Sequence, residues 1–183
     1  MFNASRLPGD LSPKAMIARM IRVNHAGEYG AKRIYQGQAQ FLKEPAAKEA
    51  VAEMAAQEQA HLDYFTAEMQ ERHVRPTAFL PLWHVLGFGV GAITAALGTR
   101  AAMACTIAVE EAIDEHYTAQ LDLLHTTLQD PSLQEAITQF REEEREHKEI
   151  AMTAEGEKAL GYPLLSAIIK QGSKLAIRLS THW

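Results

Sequence analysis

The chain has 183 residues, 47% of them hydrophobic and 22% charged, the balance of a globular protein with a core of its own. A formal charge of −5 argues against a nucleic-acid partner held by net charge. A single cysteine, Cys105, excludes an internal disulfide and any four-cysteine metal site, and it reads as a small buried residue. The opening MFNASRLPGD lacks a basic stretch followed by an apolar one, so no secretory signal is expected.

Strand signals are nearly absent, and Ala, Glu, Gln, Leu and Met favour helix throughout. Residues 1–11 are expected to be flexible. Ser12-Pro13 opens a first helix over about 12–42. A second runs over about 45–73 and is stopped by Arg75-Pro76. A third, apolar helix covers about 81–97, and a fourth about 99–128. Asp130-Pro131 starts a fifth over about 131–160, which Gly161-Tyr162-Pro163 breaks. A sixth covers about 164–180. These elements imply one all-α domain over 1–183, a four-helix bundle with two additional helices.

Four helices carry an apolar stripe at helical spacing, and each stripe has a carboxylate near its middle. They are Glu28, Glu58, Glu110 and Glu144. An unpaired carboxylate in a core is costly, and four converging carboxylates repel unless a cation sits among them. Glu58-x-x-His61 and Glu144-x-x-His147 place each pair on one helix face. With 18 glutamates and 8 histidines, chance gives about one Glu-x-x-His, and Asp122-x-x-His125 shows how easily the spacing arises. The surrounding frame is more specific. Glu28 precedes the first motif, Glu110 precedes the second, and each has a tyrosine two helical turns on, Tyr35 and Tyr117. The chain therefore reads as two similar helix pairs. That is the pattern of ferritin-like di-iron or di-manganese bundles, with one Glu from each of two helices and Glu-x-x-His from each of the others. Carboxylate and imidazole suit iron or manganese. In the run Glu142–Glu146 only Glu144 lies on the inward stripe, and its neighbours read as a solvated face.

The stretch Arg22-Val-Asn-His-Ala-Gly-Glu-Tyr-Gly-Ala31 resembles the opening signature of the demethoxyubiquinone hydroxylase family. Pro81-Leu-Trp-His-Val-Leu-Gly-Phe88, Val109-Glu-Glu111 with His116-Tyr117, and Phe140-Arg-Glu-Glu-Glu-Arg-Glu-His147 resemble its later segments, in order. The resemblance implies a metal set of Glu28, Glu58, His61, Glu110, Glu144 and His147, with Glu58 and Glu144 bridging. It implies two iron ions, dioxygen as co-substrate, and hydroxylation of a polyprenylated demethoxy-benzoquinol ring in ubiquinone biosynthesis. An external reductant, NADH by the family analogy, supplies electrons, since no dinucleotide-binding fingerprint is present. His116 and Tyr117 fall where the resemblance places catalytic neighbours of the metals, and His116 reads equally well as a solvated helix residue. Asn24 stands where many members have Asp. The competing readings are another ferritin-like di-iron hydroxylase and a non-enzymatic ferritin-like iron-binding protein.

Residues 76–99 contain no Asp, Glu, Lys or Arg. A spanning helix there would put the two Glu-x-x-His halves on opposite sides of a bilayer. The segment over 76–98 is therefore expected to lie in one leaflet or to cover the bundle. Residues 164–180 combine Lys170, Lys174 and Arg178 with Leu164, Ile168 and Leu175, the composition of an interfacial helix. Expected partners are thus the polyprenyl substrate and a membrane surface, with a homodimer or an accessory lipid-binding protein as further candidates. The expected location is peripheral, on the cytoplasmic face of a membrane, the inner one if bacterial.

Overall fold

The computed structural model describes residues 10–182, so most of the segment expected to be flexible lies outside the described residues. Within them the chain forms six α-helices and no strand: α1 Pro13–Phe41, α2 Pro45–Glu71, α3 Leu80–Ala96, α4 Thr99–Leu123, α5 Pro131–Thr153 and α6 Tyr162–His182. The starts follow local chemistry. Ser12 Oγ accepts the Ala15 amide at 3.1 Å and Asp130 Oδ1 accepts the Leu133 amide at 3.2 Å, each with proline at the first helical position.

Two ends differ from expectation. The fourth helix closes in a π-helical turn, Leu124–Leu128, which keeps Leu124 and Leu128 in the core and ends on Gln129 at φ 49°. The fifth stops at Thr153 rather than near residue 160. Glu155 turns left-handed at φ 61°, and Gly156 then packs on α4. A Cβ at Gly156 would stand 2.8 Å from the Met103 carbonyl carbon and 2.9 Å from the Ala104 nitrogen, so only glycine allows the approach.

Helices α1, α2, α4 and α5 make the bundle, with α1 on α2 and α4 on α5. Two apolar clusters fill its ends. Ile21, Phe65, Leu124 and Ile137 belong to one, and Val51, Met54, Met103 and Ala151 to the other. Helix α3 lies along α1 with backbone against backbone: a Cβ at Gly91 would fall 1.9 Å from the Ile34 carbonyl oxygen, and one at Gly37 would fall 2.2 Å from that of Phe88. Helix α6 covers α4 and part of α1. No helix among the described residues is long and apolar enough to cross a membrane.

Candidate metal centre

The buried layer between the two apolar clusters is polar. Glu28 comes from α1, Glu58 and His61 from α2, Glu110 from α4, and Glu144 and His147 from α5. None of the six is more than 1% exposed. One ligand atom from each of Glu28, Glu58, His61 and Glu144 lies within 4.8 Å of the others, and the same holds for Glu58, Glu110, Glu144 and His147. The two groups share Glu58 and Glu144, so two adjacent positions face those carboxylates in common. His61 Nδ1 is 3.2 Å from Glu144 Oε1 and 3.7 Å from Glu28 Oε2. His147 Nδ1 is 3.1 Å from Glu144 Oε2 and 3.4 Å from Glu58 Oε1. Both imidazoles turn Nδ1 inward.

The surroundings repeat across the bundle. Tyr35 on α1 donates to Glu110 on α4, and Tyr117 on α4 donates to Glu28 on α1. Gln120 and Asn24 exchange two hydrogen bonds of 2.8 Å. Their counterparts Gln38 and Thr106 are joined at 3.4 Å, with Gln38 also donating to the Ala102 carbonyl at 2.9 Å. His61 Nε2 meets Glu143 Oε2 at 2.5 Å, and His147 Nε2 meets Gln57 Oε1 at 2.6 Å.

The electrostatics are those of a crowded acidic site. Burial raises the Glu58 carboxyl well above its usual range, and the charges of Glu144, Glu28 and Glu110 add to the effect. Burial also raises Glu110, with Glu144 beside it. Burial disfavours the Glu144 carboxylate, yet the hydrogen bond from His147 and the neighbouring His61 imidazole bring it down to about 2. His61 is pushed up to about 11 by Glu144 and Glu28, against the effect of burial. Both tyrosines are raised, first by burial and then by the neighbouring carboxylates.

The donor set fits divalent transition metals. Among the described residues, eight buried side-chain nitrogen or oxygen atoms lack a hydrogen-bond partner, and six of them belong to this cluster. They are Glu28 Oε2, both Glu58 oxygens, His61 Nδ1, Glu110 Oε2 and Glu144 Oε1. Native proteins rarely leave buried polar atoms unpaired, and an ion is one of the standard reasons. Four carboxylates also balance two divalent charges.

The structure places the remaining candidates less centrally. Tyr117 touches the cluster through Glu28. His116 is partly buried, and its Nε2 meets Gln120 Nε2 at 2.7 Å, so it reaches the α1–α4 interface through Gln120 and Asn24 rather than through a carboxylate of the cluster. Burial pulls its imidazole down to about 4. Glu143, expected on a solvated face, instead holds His61. Gln57, which no sequence motif singled out, holds His147. The signal that could have found both is positional: each immediately precedes the glutamate of a Glu-x-x-His motif.

Fold and site together define an all-α, ferritin-like bundle with a buried carboxylate–histidine centre. Residues 15–180 match the family described as ubiquinone biosynthesis protein COQ7. The chain is 50% identical over 176 residues to the 3-demethoxyubiquinol 3-hydroxylase of Rhodospirillum rubrum, covering 96% of this chain and 82% of that protein. It is 44% identical over 183 residues to the human NADPH-dependent 3-demethoxyubiquinone 3-hydroxylase, mitochondrial, covering 98% and 83%. A more distant relative, the 3-demethoxyubiquinol 3-hydroxylase of Ralstonia pickettii, is 33% identical over 164 residues, covering 90% and 72%. The chain belongs to the COQ7 family. The human protein's name specifies NADPH, where the sequence reading took NADH.

Proposed function

We propose that this chain is a di-iron, oxygen-dependent monooxygenase that hydroxylates the ring of a polyprenylated demethoxyubiquinol. The observation that carries the reading is the set of six buried polar atoms without a hydrogen-bond partner in one cluster, grouped so that Glu58 and Glu144 face both halves. The hydroxylase names of the relatives supply the substrate. Glu28 and His61 would hold one iron, Glu110 and His147 the other, with Glu58 and Glu144 shared. Bound iron supplies dioxygen activation. The net reaction puts one oxygen atom on a ring carbon and reduces the other to water, with two electrons from a nicotinamide donor.

The chain's own residues supply position and dryness. Tyr35 and Tyr117 fix the outer carboxylates, and the apolar clusters above and below keep water from the layer. An apolar cavity of about 280 Å³ lies between α1, α3, α4 and α6. Ala26, Gly27 and Val109, all next to or near Glu28 and Glu110 in sequence, line it, and so do Trp83 and Ile168 of the two covering helices. A Cβ at Gly27 or Gly30 would meet nothing within 4 Å, so both glycines open on this space. Such a slot suits a ring carried on an isoprenoid chain.

The exposed surfaces of α3 and α6 support the reading of a peripheral membrane position. Leu82, Val85, Leu86 and Ile93 of α3 and Leu97 just after it are exposed, as are Leu164, Ile168 and Leu175 of α6. Exposed apolar surface of this extent beside a lipid-sized cavity fits an acyl-chain contact. Charge contributes less than the composition suggested, because Lys170 pairs with Glu111 and Glu115 at 3.2 and 2.7 Å, and Lys174 pairs with Glu115 at 2.7 Å.

The test is anaerobic iron loading followed by one turnover with a short-chain demethoxy-benzoquinol, a reduced nicotinamide and labelled dioxygen. The expected result is two irons per chain and one labelled oxygen in the ring product. Two irons with no ring product would overturn the substrate assignment, and no stoichiometric iron would overturn the metal site.

A further inference from the structure

The repeat across the bundle has a chemical mismatch at the outer nitrogens of its two histidines. Glu58 matches Glu144, His61 matches His147, Glu28 matches Glu110, and Tyr35 matches Tyr117. The residues that receive the outer imidazole nitrogens do not match. His61 Nε2 donates to the Glu143 carboxylate at 2.5 Å, whereas His147 Nε2 donates to the Gln57 carboxamide oxygen at 2.6 Å. At this pair of positions the Glu28–His61 half carries a formal negative charge where the Glu110–His147 half has a neutral amide.

Three physical effects of this mismatch act in the same direction. A hydrogen bond to a carboxylate is roughly twice as strong as one to a neutral acceptor. It fixes the proton on Nε2 and leaves the inward Nδ1 lone pair for a cation, and it raises the basicity of the ring. The additional negative charge also attracts a divalent ion directly, from a partly buried position that water screens less than a fully exposed one. The carboxylate is held in place as well: Gln139 Nε2 donates to Glu143 Oε1 at 2.8 Å, one turn earlier on α5. Holding the acceptor in advance reduces the ordering cost of binding.

We propose that Glu143 is a positioning residue that makes the two metal positions unequal. The Glu28–His61 half binds its divalent ion more tightly and fills first. The Glu110–His147 half is the weaker, more exchangeable position. The inference rests on the two-metal reading above and adds an order of loading to it.

Manganese(II) titrated into the metal-free full chain tests it without turnover, by calorimetry and electron paramagnetic resonance. The first equivalent should bind at least about ten-fold tighter than the second, because outer hydrogen-bond partners of metal-bound histidines change affinity by about 10–100-fold. It should give a mononuclear six-line signal that the second equivalent replaces with a coupled one. Glu143→Gln should weaken the first step by about 10–100-fold and merge the two steps. Gln57→Glu should strengthen the second step, which keeps the test intact if Glu143→Gln folds poorly. His147→Ala should retain one tightly bound ion, and His61→Ala should lose it. Two ions of equal affinity, or two steps untouched by both the Glu143 and Gln57 changes, overturn the inequality and leave the two-metal site standing. No bound manganese overturns both.

Discussion

Tyr35 donates a hydrogen bond to Glu110, a residue 75 positions away on the far side of the bundle, and Tyr117 returns the same contact to Glu28. Each tyrosine lies two turns beyond one glutamate and serves the other, so α1 and α4 are tied twice through the buried layer. Tyr35→Phe and Tyr117→Phe remove one donor each and strand a buried carboxylate oxygen. Each should lower unfolding stability by about 1–3 kcal/mol, the cost of leaving a buried acceptor unpaired. Urea unfolding of the metal-loaded chain measures it, and a loss below a few tenths would show that the tyrosines only fill space.

Glu58 and Glu144 occur in both candidate ligand groups, while Glu28 and Glu110 occur in one each. Loss of a shared carboxylate should therefore cost both ions. Glu144→Ala is expected to retain less than one iron per chain, and Glu110→Ala about one, with turnover abolished in both. Iron quantification after desalting separates these outcomes. Equal losses from the two variants would contradict the shared role of Glu144.

The helices and the six buried residues were legible because they follow two short-range rules. Apolar stripes recur at helical spacing, and a carboxylate in such a stripe needs a reason to be there. The repeat of Glu then Glu-x-x-His supplied the pairing of helices. What was not legible depends on three-dimensional contact. Gly156 ends α5 early because the chain must pass against Met103 and Ala104, a fact of packing between elements far apart in sequence. Glu143 sits among charged neighbours that point to water, and only the α2–α5 approach shows that His61 reaches it. The basic character of α6 was visible, but its pairing with Glu111 and Glu115 on α4 was not.

The α1–α3 seam predicts a contrast between glycines. A Cβ at Gly91 would collide with the Ile34 carbonyl, and backbone on both sides leaves nothing flexible to yield. Gly91→Ala should cost about 1–3 kcal/mol or more, as overpacking does, and displace α3. Gly89 lies on the same helix with nothing within 4 Å of its would-be Cβ. Gly89→Ala should stabilise the chain by up to about 1 kcal/mol through helix propensity. Thermal unfolding of the two variants checks the pair, and equal shifts would refute the close seam.

The exposed apolar residues of α3 and α6 predict where a membrane would touch. Val85 and Leu164 are 65% and 69% exposed, so a charge at either position meets water and leaves the core alone. The double variant Val85→Glu and Leu164→Glu, neither of which lines the cavity, should fold with unchanged helicity and metal content. Each change removes a side chain whose full burial stabilises by about 1.5–3 kcal/mol and adds a charge that a bilayer resists. Partition onto neutral phosphatidylcholine vesicles should therefore fall by at least about ten-fold, since every 1.4 kcal/mol is a factor of ten. Neutral lipid isolates the apolar contribution, because Lys170 and Lys174 are already paired with α4. Vesicle flotation reads the partition, and turnover of a substrate short enough to dissolve in water should persist. Unchanged flotation would place the lipid contact elsewhere on the molecule.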